Sequence, residues 1–294
     1  MASTAERLAE PVSSAHSRKI PWTVLAWFTA LIIVGNFSIL KRLAMQWLND
    51  GDMGHGVFVP LVAAYIAWQR RDRLLALRLQ PSWWGAVVIF WGIAQGYLGT
   101  LAADLFLQRT SVLITLYGLL LLTGGTALIR ALAFPLLLLP FMIPFPGVVY
   151  NQITFPLQLF ASRVAEISLG ILGVPVYRDG NILEIPSQKL DVAEACSGIR
   201  SLLSLSFLSL VYAYMFDKRV WMRWALLIAT LPIAIVANSG RVTITGLLSE
   251  IDPELAHGVF HSMEGWVIFA IAAAMLVGFH LLLRRLTRNR MEPA

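Results

Sequence analysis

The sequence predicts an all-α polytopic membrane protein of about eight transmembrane helices, with a small extracytoplasmic β-hairpin and an interfacial helix. Three observations predict it. Of the 294 residues, 57% are hydrophobic and only 14% are charged, against about a quarter charged in a soluble domain. Mean hydropathy is +0.70. The apolar residues gather into runs near the length of about 20 residues that a helix needs to cross lipid, where an unpaired peptide group costs several kcal/mol. The net charge of +6 does not indicate nucleic acid, because the basic residues cluster at the ends of apolar runs and not on one polar face. The single cysteine excludes an internal disulfide.

The first run, Ile20–Leu40, follows Arg18 and Lys19. It is too long for the core of a signal peptide and no small-x-small cleavage site follows, so it reads as a retained span. The others are Gly56–Trp68, Trp83–Thr100, Thr110–Ile129, Ala131–Phe145, Ser197–Phe216, Trp224–Thr245 and Met263–Leu283. The fifth contains Pro135, Pro140 and Pro144, tolerated in a membrane helix where neighbours satisfy the freed carbonyls. With the N-terminus inside, fifteen of the 23 lysines and arginines fall on the inner side and eight on the outer. That bias places both termini in the cytoplasm. The chain divides into a tail at 1–19, one transmembrane domain at 20–283 and a basic tail at 284–294.

Gly147 to Gly173 departs from this pattern. Gln158, Ser162 and Glu166 recur every four residues, on one helix face, which suits an outer interfacial helix better than a ninth span. The segment 174–195 is the one that faces water. Val174–Tyr177, the turn Arg178-Asp179-Gly180-Asn181 and Ile182–Ile185 read as strand, turn and strand, with a second turn leading to Leu190–Val192. Such an element offers an edge to an extended peptide or is a plain connection.

This topology brings three chemical groups to the outer face. Cys196 lies at the outer N-terminal end of the sixth run, Arg241 lies near the outer end of the seventh, and His257 and His261 precede the eighth. A thiol at a helix N-terminus beside a guanidinium is held towards thiolate, which attacks carbonyls. Histidine exchanges the proton of a leaving amine near neutral pH. Arginine stays protonated, so its role is to hold negative charge. Arg200, about one turn into the sixth run, marks a site or a buried partner, with Glu194 or Glu264 as counter-charge. The bland alternatives are an arginine snorkelling to the interface and histidines that cap a helix. His257 and His261 have no third ligand nearby, so no metal and no cofactor is expected.

The block Val192-Ala193-Glu194-Ala195-Cys196-Ser197-Gly198-Ile199-Arg200 resembles the active-site cysteine block of the exosortases. Val236-Ala237-Asn238-Ser239-Gly240-Arg241 is similar to their arginine block, and His261 before Gly265-Trp266 resembles their histidine block. Gly180-Asn181-Ile182-Leu183 and His55-Gly56-Val57-Phe58-Val59-Pro60 also look like family features. The resemblance implies a membrane cysteine peptidase or transpeptidase with Cys196, Arg241 and His261 as catalytic residues. Substrate-binding candidates are Glu194, Ser197, Arg200, Asn238, Arg178 and His257. The implied partners are exported proteins of the PEP-CTERM kind, with a Pro-Glu-Pro-like motif, an apolar helix and a basic tail, together with membrane lipid. Arg200, Arg178 and Lys189 are the cations open to the motif's acidic residue. The implied location is the bacterial inner membrane, with the site on the periplasmic face. The rival readings are a non-catalytic component of exopolysaccharide export or assembly and a membrane acyltransferase.

Overall fold

The computed structural model describes residues 22–192, 199–252 and 259–289. The chain is mostly helical and falls into two compact units, Met1–Gln46 with Gly56–Ile143, and Trp47–His55 with Pro144–Ala294.

Unit 1 holds α1 (Trp22–Gly35), most of α2 (Phe37–Asn49), α3 (Phe58–Gln69), α4 (Arg71–Leu75), α5 (Trp84–Leu101), α6 (Leu105–Ala131) and α7 (Ala133–Leu138), the last continued by a 3-10 turn at Leu139–Met142. Its firmest contact is the α5–α6 hairpin. Gly85, Gly92 and Gly99 recur every seven residues along the buried face of α5. A methyl built at Gly85 would lie 2.2 Å from the Leu122 nitrogen, and at Gly99 it would lie 2.9 Å from the Gln108 nitrogen. The two backbones approach as closely as small residues permit. Asp104 opens α6 by accepting the Leu107 N–H at 2.8 Å, an N-cap worth about 1 kcal/mol. At Gly125 (φ 68°, ψ −166°) α6 leaves helical geometry, and a Cβ there would stand 1.7 Å from the Gln80 carbonyl oxygen. Arg109 is buried on α6, and its Nε meets no acceptor among the described residues.

Unit 2 is built on α8 (Gly147–Ile171), a three-stranded sheet, α9 (Ile199–Phe216), α10 (Val220–Ile251) and α11 (Val259–Asn289). The strands are β1 (Tyr177–Asp179), β2 (Ile182–Glu184) and β3 (Lys189–Asp191), antiparallel in the order β1-β2-β3. Asp179 pairs with Ile182, which leaves Gly180-Asn181 as a two-residue loop. Gly180 has φ 63°, the positive value a tight hairpin turn needs at its first position. Leu183, Ile185, Leu190 and Val192 are buried against Ala161, Ala165 and Leu169 of α8 and Val242 of α10. Each large aliphatic side chain so covered contributes about 1.5–3 kcal/mol. A second core, with Leu205, Met222, Leu226, Ile268 and Leu276, joins α9, α10 and α11.

The two ends of that three-helix group differ in chemistry. At the end carrying Asp217, the Tyr212 hydroxyl lies 2.9 Å from His280 Nδ1 and His280 Nε2 lies 3.3 Å from Asp217 Oδ2. Asp217 Oδ1 accepts the Arg219 N–H, and Arg219 reaches Thr287 at 3.0 Å. Burial pushes the Asp217 carboxyl up, but the Arg219 N–H, the His280 hydrogen bond and the two nearby positive charges outweigh it and leave it below the usual carboxylate value.

The structure changes the count of spans. Among the described residues four helices are long and apolar enough to cross a membrane, or six if each of two broken helix pairs is one span. Eight are not reached. The first predicted run breaks at Asn36, whose amide donates to the Ile32 carbonyl at 2.9 Å, and α1 and α2 meet at 75°. The second run is the 12-residue α3, about 18 Å long against a hydrocarbon core of about 30 Å. The fifth is reduced to α7 and its 3-10 turn, because proline removes helix donors and crowds the preceding turn. The polar stripe of α8 is also used differently from a face turned to water. Gln158 and Ser162 are buried, Ser162 donates to the Gly180 carbonyl at 3.1 Å, and Glu166 pairs with Arg178. The outward residues Val148, Phe155, Phe160, Ile167 and Ile171 are apolar and exposed.

Candidate functional site

Arg241 sits on α10, and its side chain is buried, as is that of Asn238 one turn before it. A methyl group built on Gly265 of α11 would lie 3.7 Å from Cζ, Nη1 and Nη2 of Arg241 alike. The guanidinium plane therefore lies face-on over Gly265, where any longer side chain would displace it. Position 261 is one helical turn before Gly265 and so on the same face of α11. The spacing of four between the histidine and the glycine thus has a physical meaning: one turn seats the arginine and the turn before it holds position 261.

The helix below Arg241 is laced by hydroxyls. Thr245 donates to the Arg241 carbonyl at 3.0 Å and Ser249 to the Thr245 carbonyl at 2.8 Å. Gln188, in the loop between β2 and β3, donates to Ser249 at 2.8 Å, and the Ser187 N–H donates to Glu250 at 3.0 Å. The hairpin is anchored to the helix that carries Arg241. Nothing in the spacing of Ser187 and Gln188 indicates this, since their partners lie more than 60 residues away.

Glu194, Cys196, Ser197 and His257 lie outside the described residues. Of Arg200 and His261 the helical positions are described, in the first turns of α9 and α11. Arg178 is on β1, where Nε donates to Glu166 at 2.7 Å and Nη1 to the Gly180 carbonyl at 3.1 Å. Lys189 pairs with Glu184 across β2 and β3, and that hydrogen bond raises its pKa. Two of the three cations considered for an acidic motif thus already have carboxylate partners. Asn238 lines a narrow crevice with Leu157 and Ala161 of α8 and Leu202 of α9.

An always-charged planar group held buried against one helix is suited to stabilising negative charge beside it. The sequence model of the transmembrane exosortases matches residues 47–278. The chain belongs to that family. The matched stretch of this exosortase contains the cysteine, arginine and histidine blocks and the hairpin. It opens at Trp47, where the first segment of unit 2 also begins. Family membership and the apolar helices make the protein a multi-pass membrane protein. No curated protein and no solved structure matches the chain.

Proposed function

We propose that this exosortase is a membrane cysteine peptidase or transpeptidase that cleaves a C-terminal sorting signal of the PEP-CTERM kind from exported proteins. The observation that carries the proposal is the seating of the Arg241 guanidinium on Gly265, one turn from position 261. In this mechanism the Cys196 thiolate attacks the scissile carbonyl carbon and the tetrahedral intermediate collapses to a thioester. His261 gives its proton to the departing amine. Arg241 stabilises the negative charge on the thiolate or the developing oxyanion. Water or an acceptor amine then attacks the thioester and regenerates the thiol. Glu194, Ser197, Arg200, Asn238, Arg178 and His257 are assigned to substrate contact. The proposed location of the site is the periplasmic face of the inner membrane, where a substrate with its own membrane helix presents its cleavage site. The partners are those substrates and membrane lipid.

The test is processing of a co-expressed protein bearing such a tail, by wild type and Cys196→Ala at matched membrane levels. Tail loss that requires the cysteine supports the peptidase. Equal cleavage by the alanine variant removes Cys196 from the chemistry. Absence of cleavage by either favours the export-component reading.

A further inference from the structure

Residues Trp47–His55 interrupt unit 1 and join unit 2. They lead into the 3-10 helix Gly51–Val57, in which Met53 and Gly56 are buried. His55, held by that helix, places Nδ1 3.2 Å from the Ser204 hydroxyl oxygen, and its ring centroid lies 6.4 Å from that of Phe207. Ser204 and Phe207 are neighbours on one face of α9, and Ser204 is one turn beyond position 200 on that same face. The axial distance from Ile199 to Ser204 is about 7.5 Å. The contact thus ties the second turn of α9 to His55.

We propose that His55 is a positioning residue for Cys196, fixing the first turns of α9 through the Nδ1–Ser204 hydroxyl bond. The proposal rests on the reading of Cys196 as the nucleophile. A helix terminus acts on a nearby charge only within its first turn. A small shift of the start of α9 therefore changes how strongly the thiolate is held.

Cys196 is the single cysteine, so iodoacetamide alkylation of the purified full-length protein reports on it alone. Its rate is measured against pH for wild type, His55→Ala, Ser204→Ala, the double variant and His55→Asn. The last puts an amide nitrogen near the place of Nδ1. The midpoint of alkylation is expected to rise by about half to one pH unit in both single alanine variants, a roughly 3–10-fold slower reaction at neutral pH. The double variant should shift no further than either single one, and His55→Asn should lie near wild type. A wild-type midpoint in His55→Ala or in Ser204→Ala would overturn the proposal, as would shifts that add in the double variant. His55→Asn and Ser204→Ala are mild enough to test it if His55→Ala does not fold. Tail processing by Cys196→Ala is scored separately. Its persistence would remove the peptidase reading and leave the alkylation series to decide the role of His55.

Discussion

In unit 1 the main helix contact is backbone against backbone, whereas in unit 2 three helices and a sheet are tied by side chains. The α5–α6 hairpin closes on glycines that leave no room for a methyl group. Around α10 the contacts are aliphatic side chains, a hydroxyl ladder, a buried Asp217–His280 pair and the Arg241 guanidinium. The glycines there meet side chains or open space: a Cβ at Gly246 would lie 3.0 Å from the Leu169 side chain, and one at Gly240 meets nothing within 4 Å. The difference teaches where change is tolerated. A backbone contact fails with one carbon atom, while a side-chain network fails in proportion to the bond removed.

The largest effect is expected at Gly125→Ala, which adds a side chain at positive φ and drives it into the Gln80 carbonyl. Strain of about 1–3 kcal/mol combines with the clash, and Gly85→Ala should be nearly as severe. Both should lose the monodisperse peak in detergent gel filtration, whereas Gly240→Ala should be neutral or gain up to about 1 kcal/mol. Equal yields for all three would break the comparison.

Asp217→Asn comes next, at about 1.5–3 kcal/mol for hydrogen bonds to a charged group. The Asp217 carboxyl is held below its ordinary value, so its stabilisation is complete above the unfolded carboxylate value of about 3.9. It fades as pH falls through the lower, folded value. Melting curves from pH 7 to pH 3 should show the gap between wild type and variant closing at the acid end. A gap constant over that range would sink this account.

Asp104→Ala should cost about 1 kcal/mol as a lost N-cap, read as a lower melting temperature with unchanged tail processing. The smallest effect is expected at Glu166→Gln. Its pair with Arg178 is partly exposed, at 29% and 36% of the two side chains, and such pairs contribute about 0–1 kcal/mol. High salt should erase the difference; a larger loss would mean the hairpin depends on this link more than on its aliphatic face.

Much of the helical frame is legible in the sequence because lipid leaves a plain record in composition. The runs Thr110–Ile129, Trp224–Thr245 and Met263–Leu283 fall inside observed helices, and Trp83–Thr100 matches α5 to within one residue. The hairpin is legible from Gly180-Asn181, although its strands lie up to three residues from the predicted bounds and Arg178 and Asp179, expected in the turn, belong to β1, because cross-strand pairing and not composition ends a strand. Hydropathy does not reveal that Asn36 turns the chain, or that three prolines reduce a predicted span to a short helix and a 3-10 turn. The polar stripe of α8 is visible as a stripe, but its partner is not, since Gly180 and Arg178 reach it only after folding. At the candidate site the arginine and histidine blocks can be read as residue types. That Gly265 is the seat of Arg241 depends on the facing of α10 and α11, which no spacing within one block contains.

The detour of Trp47–His55 into unit 2 also orders events in time. His55 is made 149 residues before Ser204, an interval of roughly 7–30 s at bacterial and slower synthesis rates. During that interval α5 and α6 emerge and can close on each other with only a three-residue connection, while the early segment has nothing to dock on. Unit 1 is thus positioned to form as the ribosome delivers it. Unit 2 has to wait for the last helices before it can recover a piece of chain laid down near the beginning.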